Sequence, residues 1–161
     1  MSSFSDKEYV VLKSEAHAGF AIKVKLEDGA LMPQKKFEDD AGADIHAYED
    51  VVIYPGETVG VRTGVRMSIP KGYEVQVRSR SGLALNHGVF VLNGVGTIDQ
   101  GFIGEIKVIL HNVGKEPFQI KKGDRIAQLV VSALANLPVV KVESFGETER
   151  GDGGFGSTGM R

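Results

Sequence analysis

Short alternations of apolar and polar residues, cut at intervals by glycine-containing turns, constrain this chain more than any other feature. Segments rich in Val, Ile and Thr recur at 21–27, 51–54, 58–69, 73–80, 105–113, 125–134 and 139–144. Several alternate with period two, which turns one face of a strand to a core and the other to water. Turn signals separate them: YPGE (54–57), IPKGY (69–73) and KKGD (121–124), each with a glycine where a tight turn can use positive φ. Between the strands there is no amphipathic window of helical length. That excludes alternating βαβ units and predicts an all-β antiparallel sandwich or jelly roll. One short exception, SGLALNHG (81–88), predicts a helical turn or two ended by Gly88.

At 161 residues the chain suits one domain with a real core. Nineteen Lys and Arg against 21 Asp and Glu leave a net charge of -2, so no basic field favours a nucleic-acid polymer or an anionic membrane. The absence of cysteine removes disulfides, thiol catalysis and cysteine-based zinc sites. No run approaches the roughly 18 apolar residues of a spanning helix, and the acidic N-terminus is unlike a signal peptide. The expectation is a soluble, cytoplasmic protein.

Glycine is in excess, at 21 residues, and its placement matters. Residues 146–161, GETERGDGGFGSTGMR, hold six glycines without apolar periodicity and read as a mobile tail. They contain Gly151-x-Gly153-x-x-Gly156, but a dinucleotide fingerprint needs a strand before it and a helix after it, and only five residues follow. What remains is a loop of backbone N–H groups with Arg150, Phe155, Ser157 and Thr158, chemistry that suits a phosphate.

Four further clusters offer chemistry. Arg78-Ser79-Arg80-Ser81-Gly82 lies where a strand passes into the short helical turn, a place for an anion. The stretch LNGVGTIDQGFIGEI (92–106) reads as a β-hairpin with an open tip, able to read the edge of a flat base, with Asn93 and Asp99 as its polar side chains. Asp44, in Ala41-Gly42-Ala43-Asp44, could orient an arginine or a metal-bound water, or cap a turn. Gln128 stands inside an apolar strand and therefore needs a partner, because burying it unpaired costs a few kcal/mol. The histidines at 17, 46, 87 and 111 lack metal-ligand spacing, and Ser81 and Ser157 lack a nucleophile elbow.

Taken in order, AGADI (41–45), RSRSGLA (78–84), NGVGTIDQGFIGEI (93–106), GDRIAQL (123–129) and RGDGGFGSTG (150–159) resemble the five motifs of the homotrimeric dUTP pyrophosphatases. The resemblance runs from about residue 21 to the end. It implies a distorted jelly-roll subunit over 21–145, a Gly-rich lid over 146–161 that completes a neighbouring subunit's site, and an N-terminal extension over 1–20 without an assigned role. The implied activity is Mg²⁺-assisted hydrolysis of dUTP to dUMP and pyrophosphate, which limits uracil incorporation into DNA and supplies dUMP for thymidylate synthesis.

The resemblance also assigns roles. Asp99 would activate a water for in-line attack on the α-phosphorus. Asn93 and the hairpin backbone would read uracil, Thr97 and Ile98 would line the nucleoside pocket, and Lys107 would lie on the next substrate-contacting strand. Arg80, Ser81 and Gly82 would hold phosphates, while Asp44 and Gln128 would support them and the metal-bound waters; Mg²⁺ itself would ride on substrate phosphates and water. Arg150 would clamp the γ-phosphate, Phe155 would stack on uracil, and Gly156, Ser157 and Thr158 would surround the terminal phosphate. Two positions depart from the family's usual pattern: Phe102 stands in place of a tyrosine that stacks on the deoxyribose, and Ser79 in place of a proline. The rival readings are a dCTP deaminase, whose glutamate would fall at Ile109, and a silent nucleotide-binding jelly roll.

Overall fold

A computed structural model describes residues 21–154. Ten strands and one helix follow in order: β1 Lys23–Leu26, β2 Gly42–His46, β3 Val51–Ile53, β4 Thr58–Ser68, β5 Tyr73–Arg78, α1 Ser81–His87, β6 Val89–Val91, β7 Val95–Ile98, β8 Glu105–Asn112, β9 Phe118–Ile120 and β10 Arg125–Ala133. They form one sheet of order β1-β4-β8-β6, a second of order β2-β10-β5-β7, and a small β3-β9 pair. All strand pairs are antiparallel. This is the jelly-roll-like, all-β architecture expected from the strand pattern. The seven-residue α1 is the one helix among the described residues, and none of them forms a helix long and apolar enough to cross a membrane.

Period two explains the packing. Along β8, Ile106, Val108 and Leu110 are buried while Lys107 and Ile109 face outward. Val61 and Val65 of β4, with Ile45, Val75, Val77, Ile126 and Leu129 from the second sheet, complete the core. Each such side chain contributes roughly 1.5–3 kcal/mol by leaving water. Among the described residues, the two buried polar ones, Asn112 and Thr63, are satisfied. Asn112 donates to the carbonyls of Ile53 and Glu116 at 2.9 Å each and accepts from the Gly114 N–H at 2.8 Å. Thr63 donates to the Ile106 carbonyl at 2.6 Å. Unpaired, such groups would each cost about 1–3 kcal/mol.

The helix ends as expected. Gly88 takes φ 67° and returns its N–H to the carbonyls of Ala84 and Leu83, a left-handed cap that a residue with Cβ adopts only with strain.

Three features differ from the expected pattern. Residues 139–144 form no strand, and Val139, Val140 and Phe145 stand exposed beside Leu137; their alternation has no strand among the described residues to pair with. The arms of 92–106 are not paired with each other: β7 pairs with β5 in the second sheet and β8 with β4 and β6 in the first. The segment thus crosses between sheets, and its turn spans the gap. Finally, β2, β6 and β9 are strands of three to five residues, too short to show a period.

Candidate active site

The crossover between the two sheets opens a cleft of about 460 Å³, within the size range of small-ligand sites. Asn93, Thr97, Ile98, Asp99, Phe102 and Lys107 all line it. Six expected site residues therefore share one cavity. Local sequence explains the shape. The Asn93 end turns tightly, with the Gly94 N–H on the Val91 carbonyl at 3.1 Å. A Cβ at Gly96 would stand 3.1 Å from that of Val77 and 3.2 Å from the Asn93 amide nitrogen, so glycine lets the strand lie flat against β5. Beyond Ile98 the chain turns again, the Phe102 N–H donating to the Asp99 carbonyl at 3.0 Å. The Phe102 ring folds over Gly104, whose Cβ would meet it at 2.6 Å. No hydrogen bond or ion pair occupies the Asp99 carboxylate among the described residues.

A second cluster forms around Asp44 on β2. Arg80 donates from Nε to Asp44 Oδ1 at 2.9 Å, and Arg125 from Nη1 to Oδ2 at 3.2 Å. A further bond from Arg80 Nη1 to the Arg125 carbonyl, 3.2 Å, ties the pair together. Of the roles open to Asp44, the structure shows the orienting of an arginine. Gln128 lies opposite Asp44 in the β10–β2 register and donates to the Ser79 carbonyl at 2.9 Å, which supplies the partner its position demanded. Its side chain lies against Gly42, where an added Cβ would overlap Oε1. Ser79 uses its hydroxyl to accept from the Val91 N–H at 2.9 Å, joining the segment before α1 to β6. Ser81 and Gly82 open α1, and Gly82 has open space where a side chain would stand.

The cleft lining includes none of Asp44, Arg80 and Gln128. Among the described residues the chain thus presents two separate clusters: a pocket with the carboxylates of Asp99 and Glu105 and the ammonium of Lys107, and a patch of two arginines held by one carboxylate. Arg150 joins neither; its Nε donates to the Gly153 carbonyl at 2.8 Å in a local turn. Phe155, Gly156, Ser157 and Thr158 lie outside the described residues.

Two charged groups escaped the sequence reading. Arg125 shares Asp44 with Arg80 across 81 residues of chain, a pairing that no local pattern reports. Glu105, on the cleft wall, accepts from Arg62 Nε at 3.1 Å and from the Gly64 N–H at 3.0 Å. Burial alone would raise the Glu105 pKa, but the Gly64 N–H and the Arg62 guanidinium outweigh it and hold the carboxyl below its usual range. Near Asp44, burial lowers the His46 pKa; the Asp44 carboxylate opposes this while Arg125 and Arg80 reinforce it.

A jelly roll with a ligand-sized cleft edged by Asp99, Glu105 and Lys107, and an arginine patch apart from it, defines a β protein with a small-ligand site. Comparison with known proteins narrows the class. The dUTPase family profile matches residues 28–159. The deoxyuridine 5'-triphosphate nucleotidohydrolase of Nautilia profundicola is 51% identical over 135 residues, covering 84% of this chain and 95% of that one. Its counterpart from Helicobacter pylori J99 is 50% identical over 140 residues, 86% of this chain and 97% of that one. Among solved structures, the dUTPase of Staphylococcus bacteriophage 80alpha with dUpNHpp superposes with a TM-score of 0.82 at 31% identity, covering 88% and 99% of the two chains. A point mutant of the dUTPase from the S. aureus phage phi11, described with a structural Mg(II) ion, gives 0.73 at 28% identity over 78% and 98%. The chain belongs to the dUTPase family.

Proposed function

We infer that this protein is a dUTP diphosphatase, hydrolysing dUTP to dUMP and pyrophosphate in the cytoplasm at sites shared between three copies of the chain. The observation that carries the reading is the gathering of Asn93, Thr97, Ile98, Asp99, Phe102 and Lys107 in one cleft, within a chain whose relatives carry that activity in their names.

In this reading uracil enters the cleft against Asn93 and the backbone around Gly96, between Thr97 and Ile98. Phe102 stacks on the deoxyribose and leaves no room for a 2′-hydroxyl. Asp99 accepts a proton from a water as its oxygen attacks the α-phosphorus; the bond to the β-phosphate bridging oxygen breaks and pyrophosphate leaves. A carboxylate with no competing partner among the described residues is suited to such a base. Lys107 offsets phosphate charge from the cleft wall, and Arg80, held in one orientation by Asp44, does so together with Ser81 and Gly82 from the second cluster. Hydrolysis at phosphorus depends on placement and charge neutralisation more than on covalent chemistry.

The donor set fits Mg²⁺: Asp44 and Gln128 offer hard side-chain oxygens to the waters of an ion that would itself ride on the substrate phosphates. When bound, the ion neutralises phosphate charge and polarises the phosphorus. The protein's part would be to support those waters through Asp44 and Gln128.

Two clusters apart on one chain are what a site assembled between copies requires. The exposed Leu137, Val139, Val140 and Phe145 fit the same picture, since an apolar run left uncovered by the other described residues gains by packing on another chain. Residues 146–161 would then close over bound nucleotide, Arg150 exchanging its local bond for the γ-phosphate, with Phe155 over uracil and Gly156, Ser157 and Thr158 around the terminal phosphate. Residues 21–145 would form the β domain of this arrangement, and 1–20 have no role assigned in it.

The test is product analysis with dUTP and dCTP in the presence of Mg²⁺. Pyrophosphate and dUMP from dUTP alone are expected. Ammonia from dCTP, or no turnover of either, would refute the reading; the wall where a deaminase would need a carboxylate holds Ile109.

A further inference from the structure

We propose that Glu105 is a positioning residue for Asp99, fixing the turn that carries the base by clamping its far end to a bulge in β4. The proposal rests on the reading of Asp99 as the base of the hydrolysis. Asp99 follows directly on Ile98, the last residue of β7, and Glu105 is the first residue of β8. The turn therefore hangs between two sheets, its near end set by pairing of Ile98 with Val75. With no partner for the Asp99 carboxylate among the described residues, its place in the cleft depends on how the backbone is held.

The far end is held by Glu105. Arg62 Nε donates to both Glu105 oxygens at 3.1 Å, and the Gly64 N–H donates to Oε1 at 3.0 Å. The anchor is itself rigid. Between Arg62 and Arg66 the β4–β8 register slips, and Gly64 takes φ 67°. A Cβ at Gly64 would meet that of Ala30 at 2.7 Å and the Tyr48 ring at 3.0 Å. Arg62 is fixed further by Glu27 at 2.7 Å and lies 5.1 Å from the centre of the Tyr48 ring. From this point the path back to the base is short: Glu105 adjoins Gly104, over which Phe102 folds, and the Phe102 N–H bonds the Asp99 carbonyl.

Placement errors of the order of 1 Å at a reacting group cost about a hundredfold in rate. A residue acting in this way alters turnover more than binding. Glu105→Ala removes all the clamping bonds, whereas Glu105→Gln keeps an oxygen for the Gly64 N–H and Arg62.

The experiment measures kcat, the affinity for dUpNHpp and the melting temperature for wild type, E105A, E105Q and D99N. For E105A we expect kcat reduced about tenfold or more with analogue affinity within about threefold of wild type, and for E105Q a kcat restored to within about threefold. An E105A enzyme that melts lower but turns over normally, or one that loses affinity at unchanged kcat, would overturn the proposal. Should E105A not fold, Arg62→Lys, which lacks the Nε donor, is measured in the same way; unchanged kcat there also overturns it. D99N separates the two levels: wild-type turnover in D99N removes the base itself, whereas an inactive D99N beside a normal E105A removes only the clamp.

Discussion

Arg80 Nε lies 2.9 Å from Asp44 Oδ1, although 36 positions separate the two residues in the chain. The β2–β10 ladder makes the contact possible, since Asp44 stands opposite Gln128 while Arg80 follows the strand that pairs on the other side of β10. The carboxylate holds two guanidiniums that would otherwise repel each other. Asp44→Ala should therefore free Arg80 and leave it facing Arg125 without compensation. Because both groups are partly exposed, the stability loss should stay near about 1 kcal/mol. The loss in kcat/KM for dUTP should be larger, about 10- to 100-fold, or roughly 1.4–2.7 kcal/mol of transition-state stabilisation. Steady-state pyrophosphate release and thermal melting measure the two effects separately.

Gly42→Ala tests the support beneath Gln128. The new methyl would overlap Gln128 Oε1 and lie 3.1 Å from its Cδ, forcing the amide off the Ser79 carbonyl. Overpacking of this kind costs about 1–3 kcal/mol. A lowered melting temperature and a reduced kcat/KM are expected together, because the same shift disturbs the segment leading to Arg80. Wild-type values for both would show that the Gln128 contact positions nothing.

His46 makes stability depend on pH. Its Nδ1 is buried without a partner among the described residues, and burial holds its pKa below the ordinary 6.5. Below 6.5 the unfolded chain takes up this proton before the folded one, so stability falls as pH falls toward the folded value. Between about pH 7 and about pH 5.5, a range above the ordinary carboxylate values, the melting temperature of wild type should drop more than that of His46→Asn. Parallel profiles would contradict the assignment.

The sheets were legible where alternation and turns coincide, as in β4, β5, β8 and β10, because a half-buried strand writes its period directly into the residues. They were not legible in Val89–Val91 or Phe118–Ile120, which have no room for a period: the first is held by the longer β8 and the second by β3, a strand as short as itself. The 92–106 segment shows the limit most clearly. Its apolar arms and glycine breaks could be read, but which sheet each arm joins is settled by β5 and β4, not by the segment. Residues 139–144 show the converse: alternation alone makes no strand where the backbone finds no ladder among the described residues. In the site, residue types and spacing pointed to Asn93 and Asp99 and to Gln128's need for a partner, while Thr97, Ile98, Phe102 and Lys107 were implied only by the resemblance of the ordered motifs. The links from Asp44 to Arg125 and from Glu105 to Arg62 span 81 and 43 positions, and nothing local announces them.

Because the cleft and the Arg80 patch lie apart on one chain, a mixture of two inactive chains distinguishes a site shared between copies from one built within a chain. D99N and R80A proteins, each nearly inactive alone, would be unfolded together in equal amounts, refolded and assayed for pyrophosphate release from dUTP. If each site draws Asp99 from one copy and Arg80 from another, about a quarter of the sites in the mixture hold both native residues, and activity should return to about a quarter of wild type. A mixture no more active than the average of its two components would mean that Asp99 and Arg80 act within one chain, and would contradict the shared site.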